Sequence, residues 1–137
     1  MRAVLGLVFP KARRLRERAE FTKAKDRGGR VHTRHFLFFV AVGPRPDAPS
    51  RLGITVTRKV GDAVRRNRVK RLVREAFRLD PALVPDGVDV LVIAKEGAPL
   101  LGLEEVQAEW RGARSQLQRR AREALTNAST VPKEGGP

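Results

Sequence analysis

The chain has 137 residues, with 29 Lys/Arg against 15 Asp/Glu, a formal net charge of +14 and no cysteine. That length suits one domain with a real core and leaves no room for two. The lack of Cys removes disulfides, thiolate zinc sites and Cys nucleophiles together, which suits a reducing, cytoplasmic setting. No apolar run approaches the ~20 residues that a membrane-crossing helix needs, so no membrane partner is expected.

Residues 1–10 read as an N-terminal extension. Ala3–Phe9 is apolar, but seven residues followed by Pro10 and Lys11-Ala12-Arg13-Arg14 are short for a secretory signal, and no small-residue cleavage site follows. From about Leu15 to Arg27 the pattern predicts a short basic helix, stopped by Gly28-Gly29. Arg30–Thr33 makes a brief strand. Phe36–Val42 is an aromatic, β-branched run bounded by Gly43-Pro44, a strand buried on both faces or covered on one by a ligand. The prolines of residues 44–50 mark a loop, Leu52–Thr57 returns as a strand, and the two runs look like an antiparallel hairpin. A second helix starts near Asp62–Arg65 and ends before Pro81, because proline lacks the donor and clashes with the preceding turn. After a turn at Pro85-Asp86-Gly87, Val88–Ala94 reads as a central strand. Leu103, Val106, Trp110, Ala113, Leu117, Ala121 and Ala124 recur at three and four, predicting an amphipathic helix over 103–125 with Trp110 in the core. Residues 126–137 have the composition of a disordered tail. The order is α-β-β-β-α-β-α, an α+β fold with helices packed on a small mixed sheet, and the domain proper spans residues 11–125.

The charge is localised. Residues 56–78 hold nine Lys/Arg against two acids and residues 1–30 hold ten against three, while the remainder balances. On a helix, Arg66, Lys70 and Arg74 form one i, i+4, i+8 ridge with Asn67, Arg71 and Arg78 beside it, and Val69, Leu72, Val73 and Ala76 fall opposite. A solvated face normally mixes signs for i, i+4 support; this one accepts like-charge repulsion, as a surface for a polyanion does. Nucleic acid is the expected partner, and no small-molecule substrate is expected.

The segment Arg58-Lys59-Val60-Gly61-x-Ala63-Val64-x-Arg66-Asn67-Arg68-x-Lys70-Arg71-x-x-Arg74-Glu75 closely resembles the signature of the bacterial ribonuclease P protein component, including its Arg-Asn-Arg triplet. The flanks agree in order: Phe21 in a short basic helix, Arg34-x-Phe36 opening an aromatic strand, Arg51-Leu52-Gly53-Ile54-Thr55-Val56 leading into the signature, and a hydrophobic strand before the last helix. The resemblance covers about residues 11–125. It implies a compact fold similar to domain 2 of ribosomal protein S5, with a left-handed βαβ crossover around the basic helix. It also implies a protein subunit of ribonuclease P that pairs with a catalytic RNA, which removes the 5′ leader of precursor tRNA by magnesium-dependent hydrolysis, the Mg2+ being bound mainly by RNA.

On this reading catalysis is the RNA's and the protein has no catalytic residue. The scattered acids Asp26, Asp47, Asp62, Asp80, Asp86 and Asp89 show no paired spacing for a metal or a general base. His32 and His35, three apart, could touch RNA, but surface histidines of this kind are more often incidental, and neither is read as catalytic. The catalytic-RNA surface is assigned to Arg58, Lys59, Arg65, Arg66, Asn67, Arg68, Lys70, Arg71 and Arg74, whose guanidinium forks suit phosphate. Asn67 has a second reading as a hydrogen-bond anchor at the helix N-terminus.

In the family the single-stranded leader lies in a cleft between the first helix and the sheet, and Phe21, Lys25 and Phe39 match positions lining it. Core packing is the competing reading for the phenylalanines. Phe36 and Phe38 alternate to the other side of their strand. The family often has an aromatic where Lys25 stands and a Tyr where Phe39 stands, so leader contact leans more on charge here. Another RNA partner, for a ribosomal or assembly protein of the same fold, is the alternative reading.

Overall fold

The computed structural model describes residues 11–135, with side chains through residue 127. The expected extension over residues 1–10 lies outside the described residues. Helix α1 spans Arg18–Arg27, strands β1, β2 and β3 span Gly29–His32, Phe36–Val42 and Arg51–Thr55, helix α2 spans Ala63–Arg78, strand β4 spans Val88–Ala94 and helix α3 spans Leu103–Gly135. Short 3-10 turns precede α1, α2 and α3. The expected α-β-β-β-α-β-α order holds, and no helix among the described residues is long and apolar enough to cross a membrane.

The sheet order is β1-β2-β4-β3, which corrects one expectation. β2 and β3 do not form a hairpin. β2 pairs antiparallel with β1 on one side and with β4 on the other, and β3 pairs in parallel with β4. The reason lies in α2: a helix between two strands serves as the crossover that a parallel pair requires. β4 thereby slots between β2 and β3 and becomes central, as its run of buried apolar residues, broken only by Asp89, suits.

The two sheet faces are covered unequally. Against one lie α2 and α3, closing a core in which Phe36, Phe38, Val90 and Val92 meet Val69 and Val73 of α2 and Val106, Trp110 and Leu117 of α3. Trp110 stands edge-on to Phe36 and Phe38, with centroids 5.6 and 5.3 Å away. The other face carries α1 and a smaller cluster of Leu15, Ala24, Phe39, Ala41 and Leu91.

Two helix boundaries differ from the sequence pattern. α1 begins at Arg18 rather than Leu15, because Leu15 donates its N–H to Leu52 O (2.9 Å) along the β3 edge, and Glu17 and Glu20 then form a capping box. α3 stays helical to Gly135, past residue 125 and through most of the segment whose composition reads as a tail. The stretch from Thr126 to Val131 contains neither glycine nor proline to stop it. The turn at residues 85–87 holds: Gly87 has φ +89°, and a Cβ there would lie 2.7 Å from Pro46 O.

Candidate nucleic-acid interface

The basic segment leaves β3 through a 3-10 turn, Arg58–Val60, and enters α2 at Asp62, whose carboxylate accepts the Arg65 N–H at 3.0 Å. The N-terminal anchor is therefore Asp62. Asn67 lies in the second turn, exposed, so its anchor reading is overturned.

The buried stripe of α2 is Val69, Val73, Ala76 and Phe77, with Leu72 only half-buried. Taking Phe77 rather than Leu72 into the core turns the helix, and the predicted crest turns with it. Arg66, Lys70 and Arg74 are half-buried along one flank, while Asn67, Arg68 and Arg71 are exposed, as are Arg58, Lys59 and Arg65 before them. All nine residues are at least partly exposed, and the most open part of α2 between its first turn and Arg74 runs through Asn67, Arg68 and Arg71.

Individual cations differ in how freely they can turn to a partner. Arg68 donates from Nε to Pro99 O (3.1 Å) and from Nη2 to Leu101 O (2.8 Å), tying α2 to the loop before α3. Arg65 reaches Asp62 only at 3.7 Å with both ends exposed, a weak pair. Arg74 and Lys70 line a small cleft with Arg14, Leu15, Phe21, Leu52 and Ile54. Burial first, and the charge of Arg14 second, lower the Arg74 pKa. Arg14 is a residue the sequence pattern missed, since the approach is made across the β3 edge, where Arg14 bridges Leu52.

The face under α1 is best described by its cross-strand rows. Arg30, Phe39, Leu91 and Gly53 lie in one row, and His32, Leu37, Ile93 and Thr55 in the next. The ring of Phe21 lies against Gly53: a Cβ there would come within 3.0 Å of Phe21 Cε2 and 2.8 Å of Leu15 Cδ1, the close approach that explains this glycine. Phe39 is 2% exposed, with the Arg30 guanidinium 5.6 Å over its ring. Of the three expected cleft residues, Phe21 is half-buried, Lys25 is exposed and Phe39 is core. As a stacking surface Phe39 is therefore corrected, because α1 and Arg30 already cover it. In the next row Leu37, Ile93 and Thr55 are half-buried and His32 is exposed, so that row is less fully covered. Strand alternation separates Leu37 and Phe39 from Phe36 and Phe38, but only the register brings Ile93 and Thr55 beside them.

Several carboxylates of the domain are engaged in structure. Asp89 takes a two-pronged contact from Arg51, Asp80 pairs with Arg114 (2.8 Å), and Glu75 pairs with Arg78. Glu109 accepts from Thr33 Oγ1, from His35 N (2.7 Å) and shares a 2.8 Å contact with His35 Nδ1. Burial raises the Glu109 pKa, but these bonds outweigh it and hold the carboxyl below its ordinary range. Among the described residues no three His, Asp or Glu side chains are grouped to hold a metal ion.

The sequence model of the family described as Ribonuclease P matches residues 9–118. The ribonuclease P protein component of Desulfovibrio desulfuricans is 45% identical over 104 residues, 74% of this chain and 80% of the relative. That of Citrifermentans bemidjiense is 37% identical over 112 residues, 82% of this chain and 94% of the relative. Among solved structures, the ribonuclease P protein from Thermotoga maritima superposes with a TM-score of 0.66 at 31% identity, covering 75% of this chain and 96% of the other. The one from Staphylococcus aureus gives 0.66 at 31%, covering 74% and 92%.

Proposed function

Since the chain belongs to the ribonuclease P protein family, we propose that its α2 surface grips the enzyme's catalytic RNA while the half-buried row of Leu37, Ile93 and Thr55 takes the single-stranded 5′ leader of precursor tRNA. As a ribonuclease P protein component, it takes part in the ribonuclease that processes tRNA 5′ ends. The observation that carries the assignment of surfaces is the crest of α2. Arg58, Lys59, Asn67 and Arg71 are exposed there, and none of the three cations is ion-paired to an acid among the described residues. The helix beneath them is fixed by Asp62 at its start and by Arg68 to the loop before α3. A rigid helix presenting cations at fixed spacing suits phosphates at fixed spacing, because little side-chain or backbone freedom is lost on contact.

The leader surface works differently. The exposed edge of Phe21 and the floor of Leu37 and Ile93 offer apolar faces against which unpaired bases can lie, while Lys25 meets the backbone charge. Such contacts are tolerant of sequence, as a subunit serving many precursors needs. In this proposal magnesium supports the hydrolysis from sites held mainly by the RNA subunit, and the protein contributes binding, in the cytoplasm.

The test is reconstitution with the cognate catalytic RNA at low magnesium. The protein alone is expected to leave precursor tRNA intact and to restore cleavage where the RNA alone is poor. Robust cleavage by RNA-free, nuclease-free protein would overturn the assignment.

A further inference from the structure

α1 carries Phe21 and Lys25, yet its apolar seat is thin. Ala24 is the only buried residue among its ten. What fixes its N-terminal end is a polar clasp. Arg51 on β3 donates from Nε and Nη2 to the two oxygens of Asp89 on β4 (2.9 and 2.8 Å), and from Nη1 to Glu20 Oε2 (3.0 Å). Glu20 Oε1 meanwhile accepts the backbone N–H groups of Arg16 (2.9 Å) and Glu17 (3.1 Å). One carboxylate therefore caps the helix and ties it to the sheet.

The clasp is anchored in the core of the sheet. Asp89 is 6% exposed and lies opposite Arg51 in the β3–β4 register, so the guanidinium is held as a fork and its third arm is aimed. The hydrogen bonds to Asp89 foremost raise the Arg51 pKa, so the fork stays charged. At its other end, α1 closes onto the sheet through Gly28, where a Cβ would lie 3.0 Å from Phe39 Cβ and from Val40 N. Between these two fixed points Phe21, the neighbour of Glu20, is set over Gly53 at the border of the half-buried row.

We propose that Glu20 is a positioning residue for leader recognition: held by Arg51, it fixes the height and angle of α1, and so the place of Phe21 and Lys25 relative to the half-buried row. This rests on the reading of that row as the leader surface. The apolar contacts of α1 alone leave it free to shift, and a displacement of about 1 Å in a positioning element is enough to cost large factors in binding or rate.

Two variants separate reach from charge in the reconstituted holoenzyme. E20D keeps the carboxylate but is one methylene short of Arg51. E20Q keeps the length but loses the charge and one acceptor: with its amide oxygen on Arg51, its NH2 faces the Arg16 and Glu17 N–H groups, so it can keep only one of the two contacts. R51K breaks the clasp from the sheet side, since an ammonium cannot fork onto Asp89 and also reach Glu20. KM and kcat are measured for a precursor with a leader of several nucleotides and for one with a single-nucleotide leader, alongside catalytic-RNA affinity and a melting curve.

E20D and R51K are expected to raise KM for the long-leader precursor by on the order of tenfold, with kcat, the short-leader KM and catalytic-RNA affinity within about twofold of wild type. E20Q, which keeps only one of the two contacts, is expected to fall between wild type and E20D on the long-leader KM. Equal changes on both precursors, or no change in folded E20D and R51K, overturn the clasp. A wild-type holoenzyme indifferent to leader length overturns the leader reading itself, and the role of Glu20 falls with it.

Discussion

The two faces of the sheet are held by different physics. The α2/α3 face is sealed by apolar side chains from four strands and two helices, with Trp110 only 1% exposed at its middle. The α1 face has a small apolar cluster, an ion-paired clasp and a row of residues left half-open. Apolar burial is non-directional and scales with area, so it secures stability. Ion pairs and hydrogen bonds add less net free energy but fix geometry, which a binding surface needs. This small domain thus concentrates its apolar burial on one face and leaves the other less fully covered.

The largest expected effect breaks the sealed face. Trp110→Ala should cost about 3–5 kcal/mol, because it leaves a cavity against Phe36 and Phe38. A melting curve checks it, and a loss under about 1 kcal/mol would mean the face is far more plastic than its packing implies.

Next comes a contrast within the α1 face. Phe39→Ala should destabilise the fold by about 3 kcal/mol and weaken long- and short-leader precursors alike, because the ring is core. Phe21→Ala should instead weaken leader-bearing precursor by about 1–3 kcal/mol more than mature tRNA, the worth of a lost base stack. Matched titrations of both substrates decide, and the reverse pattern would put the leader on Phe39 after all.

A smaller effect concerns the crest of α2. Replacing Arg71 and Lys70 together by Ala should leave the fold intact and flatten the salt dependence of catalytic-RNA assembly by about 0.7–0.9 log units for each phosphate no longer neutralised. Assembly affinity across a salt series reads this directly, and an unchanged slope with reduced affinity would show that these side chains do not meet phosphates. Arg71, on the crest, is expected to contribute more than the half-buried Lys70.

The smallest effect is with acid. Burial tends to raise the Glu20 pKa, but the Arg16 and Glu17 N–H groups and Arg51 pull it below the ordinary value. A carboxyl depressed in the folded state contributes stability that is fully present above its unfolded pKa, about 4.3, and is lost as pH falls through the folded value. Glu109 acts in the same direction on the β1–β2 turn. The melting temperature should therefore be flat from roughly pH 7 to 5 and decline below about 4. E20Q should show a shallower decline, and an identical decline would remove Glu20 from the account.

Much of this was legible along the chain. Val88–Ala94 is a strand with the predicted limits, Trp110 is core, Asp62 stands at the head of α2, and alternation puts Phe36 and Phe38 on the face opposite Phe39. Each is a consequence of local rules: a strand repeats every two residues, a helix every 3.6, and a carboxylate before an apolar-periodic run caps it. The cationic signature and its resemblance to one RNA-binding family likewise need only residue order.

What the sequence alone left open was the choice among locally equivalent partners. Either β2 or β4 satisfies the hydrogen-bonding groups of β3, and only the path of α2 across the sheet gives them to β4. Phe77 and Leu72 both border the helix stripe, and the core takes Phe77, which moves the crest from Arg66–Lys70–Arg74 to Asn67 and Arg71. Phe39 becomes core while Leu37, Ile93 and Thr55, in the neighbouring row, stay half-buried, a difference set by what packs over each row. Periodicity assigns a residue to a face; whether that face is covered depends on elements distant in sequence, whose placement minimises exposed apolar area for the whole domain at once.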